Sequence, residues 1–357
     1  MVYKNYFTPR IFNEKTLSFA ILSSLEASPF GYVTNSGSNT VSQIDLSTHT
    51  IVQTITVGNG PKGIVMSPDQ KYVYVANTLS GTVSIIETST CTVVGTIFCD
   101  VDTLGSIAIS PDGKKLWVGS NLIDPDSTKS IKIIDTKTHN IADETTGLRA
   151  NGAIYLAFSS EGNQVYCSTS TNSENGSINS YNSSSYNFIT SSDLHGEPSQ
   201  IAVSYGKNFF YTPISNNSQI AKINAFSLAT QMIDLPSIPS LWGIAITYND
   251  SFAYISSRST PGVIYKLNLS NHAIIHSIAV GNEPGFLSIT ANGAYAYVPN
   301  KTSNSVSVID LKTDTVIATI SGFSSPYQVA LPYVVRDSAI KTFSPVKFQV
   351  GPWIPSL

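Results

Sequence analysis

The chain has 357 residues, a formal net charge of −3 and three cysteines, with 12% charged and 41% hydrophobic residues. At roughly 150 residues per domain this length suggests two or three domains, and it is ample for a large core. So few charges at near-neutral balance exclude non-specific binding to nucleic acid or anionic membrane, and the ordinary apolar content excludes disorder.

Residues 1–16 read as an extension. Leu17–Ser28, behind Glu14 and Lys15, has a short, serine-interrupted apolar core and reads better as a strand than as a leader. No apolar run approaches the ~18 residues of a helical membrane span.

From Tyr32 onward one motif recurs seven times, anchored at Tyr32, Tyr74, Trp117, Tyr166, Tyr211, Tyr254 and Tyr297, with steps of 42, 43, 49, 45, 43 and 43 residues. Three repeats begin clearly, as Tyr32-Val33-Thr34-Asn35, Tyr74-Val75-Ala76-Asn77 and Tyr297-Val298-Pro299-Asn300. A polar loop follows, then strands such as Thr82–Ile86 and Thr315–Ile320. A Gly/Pro turn (Gly58–Pro61) then leads into Gly63–Met66 and the hairpin Ser67-Pro68-Asp69-Gln70. Each unit therefore holds four short β-branched strands with Gly, Pro, Asn and Asp between them, and no segment carries a helical period. A lone four-stranded sheet cannot bury both apolar faces. Seven packed radially can, which predicts an all-β, seven-bladed β-propeller of four-stranded antiparallel blades over 17–332, with a tail over 333–357.

Pro61, Pro198, Pro284 and Pro326 each precede an innermost strand. The last predicts that Pro326–Leu331 completes the blade begun at Tyr32 and ties the chain ends into one sheet; Phe19–Leu22 competes for that place. The tail ends in Gly351–Leu357, where Trp353 is an apolar anchor for the propeller rim or for a partner.

Several motifs have structural explanations. Gly58–Gly63 spells G-x-G-x-x-G but joins two strands, so it is a turn and not a dinucleotide loop. Cys91 and Cys99 lie in one extended segment roughly 27 Å apart, too far for a disulfide; with Cys167 they read as inert thiols. His272 and His276 have the spacing of a helical zinc pair, yet in a strand they would stand about 13 Å apart. His49, His139 and His272 share one outer-turn position, which predicts solvation. Asp45, Glu87, Asp135, Asn182, Asn224, Asn268 and Asp310 all end the third strand of their repeats, where they would cap the turn. Asp124 and Asp126 belong to an enlarged loop that lacks the glycine and terminal glutamate of a calcium loop. No catalytic set, metal or cofactor is expected.

A ligand would go to the channel mouth. The loops entering the innermost strands bring Lys62, Gly105, Ser106, Ile154, Tyr155, Ser199, Gln200, Trp242, Gly285, Phe286, Tyr327 and Gln328 there, with Asp102, Glu197 and Glu283 close by. Of these, Lys62, Tyr155, Gln200, Trp242, Phe286, Tyr327 and Gln328 are the candidate binding residues. Aromatic faces with amide donors suit sugars or extended peptides; alternatively the same aromatics plug the channel. The Ser/Asn/Thr-rich loops after the second strands, longest at Asn121–Ser130 and Thr169–Ser177, form a second candidate surface.

The residues Tyr32-Val33-Thr34-Asn35 and the turn Ser110-Pro111-Asp112-Gly113 resemble the YVTN family of β-propeller repeats over roughly residues 17 to 332. Ser120, Thr169, Ile214 and Ser257 depart from the fourth-position Asn. The resemblance implies a seven-bladed propeller of bacterial or archaeal origin, often at the surface or envelope, with no shared activity. Some similar propellers are lactonases, a reading for which His195, Glu197 and Glu283 would supply the base. The expected function is a non-catalytic, monomeric scaffold that binds a protein, peptide or glycan; a structural cell-surface module is the alternative. The expected compartment is the cytoplasm or the outside reached without a classical leader, with periplasm or cell surface as the alternative.

Overall fold

The computed structural model describes residues 28–99, 103–120, 131–145, 153–172, 175–206, 209–235 and 238–332. Among them are 28 strands and no helix. The strands form seven four-stranded antiparallel sheets, the blades of a propeller. Blade 2 shows the plan: Pro61–Met66 is innermost, followed by Tyr72–Asn77, Thr82–Glu87 and the outermost Thr92–Phe98. The second and third strands are almost wholly buried, because both of their faces meet a neighbouring blade. Outermost strands are largely exposed and are held by single buried isoleucines, such as Ile55, Ile97 and Ile320.

The apolar clusters lie between blades. One joins Tyr32 and Val41 of blade 1 to Ile64, Met66, Val73 and Val75 of blade 2. All seven anchor aromatics sit in such seams, at most 4% exposed. The described residues therefore do not divide into two or three domains. No blade owns a core.

The ring closes through Pro326–Ala330, which pairs antiparallel with Phe30–Asn35 through Tyr32 to Ala330 and Val33 to Val329. The C-terminal strand is thus innermost in the blade that starts the chain. Phe19–Leu22, the tail with Trp353, and the enlarged loop with Asp124 and Asp126 lie outside the described residues. In blades 5 and 7 the innermost strands shrink to Ala202–Val203 and Ser288–Ile289. Pro198 and Pro284 precede them in single bridges to Ile214 and Asn300.

The fourth-position asparagine has a clear physical task. Asn77 Nδ2 donates to Thr82 Oγ1 at 3.0 Å and Ser84 Oγ at 2.9 Å, fastening the second strand to the third; Asn35 and Asn300 do the same. In blade 4, where Thr169 replaces it, the amide has moved across the ladder. There Asn179 Nδ2 donates back to Thr169 Oγ1 and Ser177 Oγ. The interaction survives a change of residue.

The turn after each third strand is also uniform. The main-chain oxygen of Asp45 accepts from His49 N at 2.9 Å, while its carboxylate accepts from Ser47 N and Thr48 N at 2.7 and 3.0 Å. Asp135, Asn182, Asn224 and Asp310 repeat this cap. Asn268 accepts from Ser270 N, and Glu87, one carbon longer, takes the Thr90 hydroxyl instead. The residue closing the turn is left-handed in every blade: His49, Cys91, His139, Tyr186, Leu228, His272 and Asp314, with φ from 53° to 61°.

That backbone conformation corrects the expectation of solvated histidines. In blades 1, 3, 4 and 7 the closing side chain is folded inward onto the anchor aromatic of the preceding blade. His49 Nδ1 lies 2.9 Å from the Tyr297 hydroxyl, and His139 packs edge-on to Tyr72 and Tyr74. Tyr186 meets Trp117, and Asp314 accepts from the Tyr254 hydroxyl at 2.6 Å. The histidines are half-buried, not free in solvent. His276 is exposed on an outermost strand. The cysteines are free: Cys99 and Cys167 are buried, and burial pushes the Cys99 thiol up to about 12.

Candidate functional site at the channel mouth

The innermost strands converge on the axis so tightly that only glycine fits at two crossings. A Cβ on Gly243 would stand 2.7 Å from the Gly285 carbonyl oxygen, and one on Gly285 would stand 2.6 Å from that of Tyr327. Phe286 N donates to Tyr327 O at 3.2 Å across this contact. Half-buried side-chain amides add further ties. Gln200 Oε1 accepts from Ile244 N at 3.0 Å, and Gln328 Oε1 from Ile64 N at 3.4 Å. Ser199 also caps the Trp242 carbonyl through its hydroxyl.

This convergence assembles four of the expected aromatics. Trp242 stacks on Phe286 with centroids 5.7 Å apart and planes 18° apart. Tyr155 and Tyr327 meet Phe286 edge-on at 5.1 and 5.3 Å. The Tyr155 and Tyr327 hydroxyls are hydrogen-bonded, and burial raises both phenols above their ordinary range. Phe286 is only 2% exposed. The cavity that Tyr155, Phe286 and Tyr327 share with Ser106, Gln200 and Gln328 measures about 60 Å³, room for a few waters and too small for a ligand. The aromatic cluster closes the channel, and what a ligand can reach is its upper side.

Cations sit on that side. Lys62 Nζ lies 5.6 Å from the Tyr327 centroid, and the Arg258 guanidinium lies 4.4 Å above the Trp242 ring. Burial, together with the charges of Lys301 and Arg258, lowers the Lys62 pKa. Lys62, Arg258 and Lys301 have no ion pair among the described residues. Glu283 stands near Lys301 and Arg258; its carboxylate accepts from Thr302 Oγ1 at 2.6 Å, and that bond and the two cations keep it ionised. Glu197 lies beside Tyr155, while His195 is exposed at the end of its strand. Asp102 and the Ile154 side chain lie outside what is described.

Arg258 and Lys301 were missing from the sequence-based site. Each follows the fourth position of its repeat, where Ser36, Thr78 and Ser215 stand in blades 1, 2 and 5. A charge in a position that four of the other five repeats give to hydroxyls was the available signal.

Among the described residues the two candidate surfaces adjoin each other in blades 2, 5 and 7. The loops after the second strands are bonded to the loops entering the innermost strands: Thr78 N to Gly60 O, Ser215 N to Glu197 O, and Lys301 N to Glu283 O, at 2.9–3.0 Å. Antiparallel pairing puts the end of one strand beside the start of its neighbour. Among the described residues no group of three or more His, Cys, Asp and Glu side chains is placed to hold a metal ion, and no helix is long and apolar enough to cross a membrane.

Solved structures that resemble this chain include hydrazine synthase of Kuenenia stuttgartiensis, with a TM-score of 0.73, 18% identity, and coverage of 81% of this chain and 94% of that one. A functionally unknown protein from Desulfotomaculum acetoxidans DSM 771 gives 0.72 and 15%, with coverage of 86% and 99%. The dihydro-heme d1 dehydrogenase NirN, in complex with DHE, gives 0.63 and 16%, with coverage of 85% and 76%. At such identities the likeness is one of fold. A stretch of 37 residues, 10% of this chain, is 62% identical to the PE-PGRS family protein PE_PGRS18 of Mycobacterium tuberculosis (strain ATCC 25618 / H37Rv), and it spans 8% of that protein's length. The chain is a seven-bladed β-propeller, and its residues 8–179 match the model of the YNCE-like beta-propeller family.

Proposed function

We propose that this propeller is a non-catalytic binding scaffold whose upper face takes an extended macromolecular ligand, a peptide or glycan, with a carboxylate at the channel mouth. One observation carries this reading: Lys62, Arg258 and Lys301 are gathered around an aromatic floor with no ion pair among the described residues. A cation seated on a ring face is partly desolvated, so a carboxylate reaching it recovers more energy than it would from a cation in free solvent. The ring faces and loop hydroxyls supply the flat, polar contacts that sugars and extended peptides use.

Polygalacturonate and polyglutamate test the reading, with dextran as the uncharged control. The full chain is expected to bind at least one of the two acidic polymers saturably and more weakly as salt rises. Arg258→Gln and Trp242→Ala should each weaken that binding about tenfold, the effect of losing one charge-assisted contact. Equal binding of dextran, or acidic-polymer binding that both variants leave unchanged, would overturn it.

A further inference from the structure

The seven seams are built from the same sequence positions, so they can be compared as internal controls. At the seam of blades 6 and 7, Lys266 pairs across the ladder with Tyr254. Lys266 Nζ lies 2.7 Å from Asp314 Oδ2, and the Tyr254 hydroxyl donates to Asp314 Oδ1 at 2.6 Å. One ammonium and one phenol thus hold one carboxylate, with the lysine seated on Phe252 at 4.4 Å.

The seam of blades 5 and 6 repeats the donors without the acceptor. Lys222 pairs with Tyr211 at the same ladder position, and its ammonium lies 4.7 Å from the centroid of Phe209, the counterpart of Phe252. The residue equivalent to Asp314 is His272, with the same left-handed backbone, φ 59° against 55°. Neither the Lys222 ammonium nor the Tyr211 hydroxyl has an ion-pair or hydrogen-bond partner among the described residues. Beside them opens a groove of about 340 Å³ lined by Lys222, Tyr211, Phe209, Phe252, Asp250 and Ser270. Asp250 does not substitute for the missing carboxylate. Its oxygens accept from Tyr205 N at 2.8 Å and Gly206 N at 2.9 Å, and it forms no ion pair with Lys222. His272, whose Nε2 is buried without a partner, supplies no negative charge.

We propose that this groove is a binding site for a small carboxylate, which takes between Lys222 and Tyr211 the place that Asp314 takes between Lys266 and Tyr254. The ligand class follows from the template: a single carboxylate on a short aliphatic arm, with the arm lying against Phe209 and Phe252. The site is on the lower side of the ring, away from the channel mouth, and does not depend on the function proposed there.

Amide correlation spectra of the full chain, titrated with acetate, propionate and succinate at constant ionic strength, test this. Saturable shifts are expected around Tyr211, Lys222 and Ser270, with no such response to chloride alone. Lys222→Met keeps the stem on Phe209 and removes the charge, and it should weaken binding about tenfold or more. His272→Asp supplies the acceptor from the chain itself, so it should abolish carboxylate binding and raise the melting temperature. Two results would overturn the site: no saturable shifts in the groove, or binding of undiminished affinity in either variant. If Lys222→Met does not fold, His272→Asp decides alone, because it retains the lysine.

Discussion

The two faces of the propeller use polar residues in opposite ways. On the lower face Asp45, Asp135, Asn182, Asn224 and Asp310 recur at one position and spend their oxygens on the next turn. On the upper face no charge recurs around the ring: Arg258 and Lys301 share a repeat position in two blades only, Lys62 stands alone, and the three cations form no ion pair among the described residues. Recurrence marks a structural task, because each blade must solve the same turn. A charge that only two repeats carry, in a position most others fill with hydroxyls, has no such shared turn to solve and is free to meet a ligand.

The largest effect tests whether the two faces belong to one cooperative ring. Truncation after Ser325 removes the innermost strand of blade 1 and bares Tyr32 and Val33. Losing the buried Val329, Ala330 and Leu331 should cost about 5 kcal/mol or more and abolish a single sharp calorimetric transition. Melting like that of the full chain would show that the ends do not close the ring.

A smaller effect separates the faces directly. Asp45→Ala removes the cap and should cost about 1 kcal/mol, roughly 2 °C in Tm, with acidic-polymer binding unchanged. Arg258→Gln should do the reverse, with Tm held within about 1 °C. If Arg258→Gln destabilises as much as Asp45→Ala, the contrast between the faces fails.

The smallest effect is a pH dependence of the lower face. Burial holds His49 and His272 below the ordinary imidazole value of 6.5; Asp45 opposes the shift at His49, and Lys222 adds to it at His272. The unfolded chain then binds more protons as pH falls below 6.5, so stability is full above that value and is lost as pH drops through the folded values. Stability should fall slightly between pH 7 and pH 5, read as a small drop in Tm. His49→Gln should flatten part of that slope, since Gln70 shows that glutamine accepts the left-handed turn at φ 61°. An identical slope in the variant would assign the dependence elsewhere.

Seven blades, their strand content and the closing strand at Pro326 were legible because each rests on short-range pattern: β-branched runs, prolines, and caps that bond two and three residues ahead. Even the GxGxxG segment read correctly as a turn, with Gly60 at φ +61° between two strands. The inward histidines were not legible, because a left-handed φ at the end of a turn is invisible in composition and reverses where the side chain points. The plugged channel was legible only as one of two alternatives. Phe286 becomes a plug only when Gly243 and Gly285 let the innermost strands approach within contact distance.

The repeat thus specifies what one blade does within itself, since those hydrogen bonds join residues close in the chain. Partners across a seam are settled by the stacking of blades. Lys222 and Lys266 occupy one position of the repeat; one meets an aspartate and the other an open groove, because the residue facing each comes from the next blade, about fifty positions later.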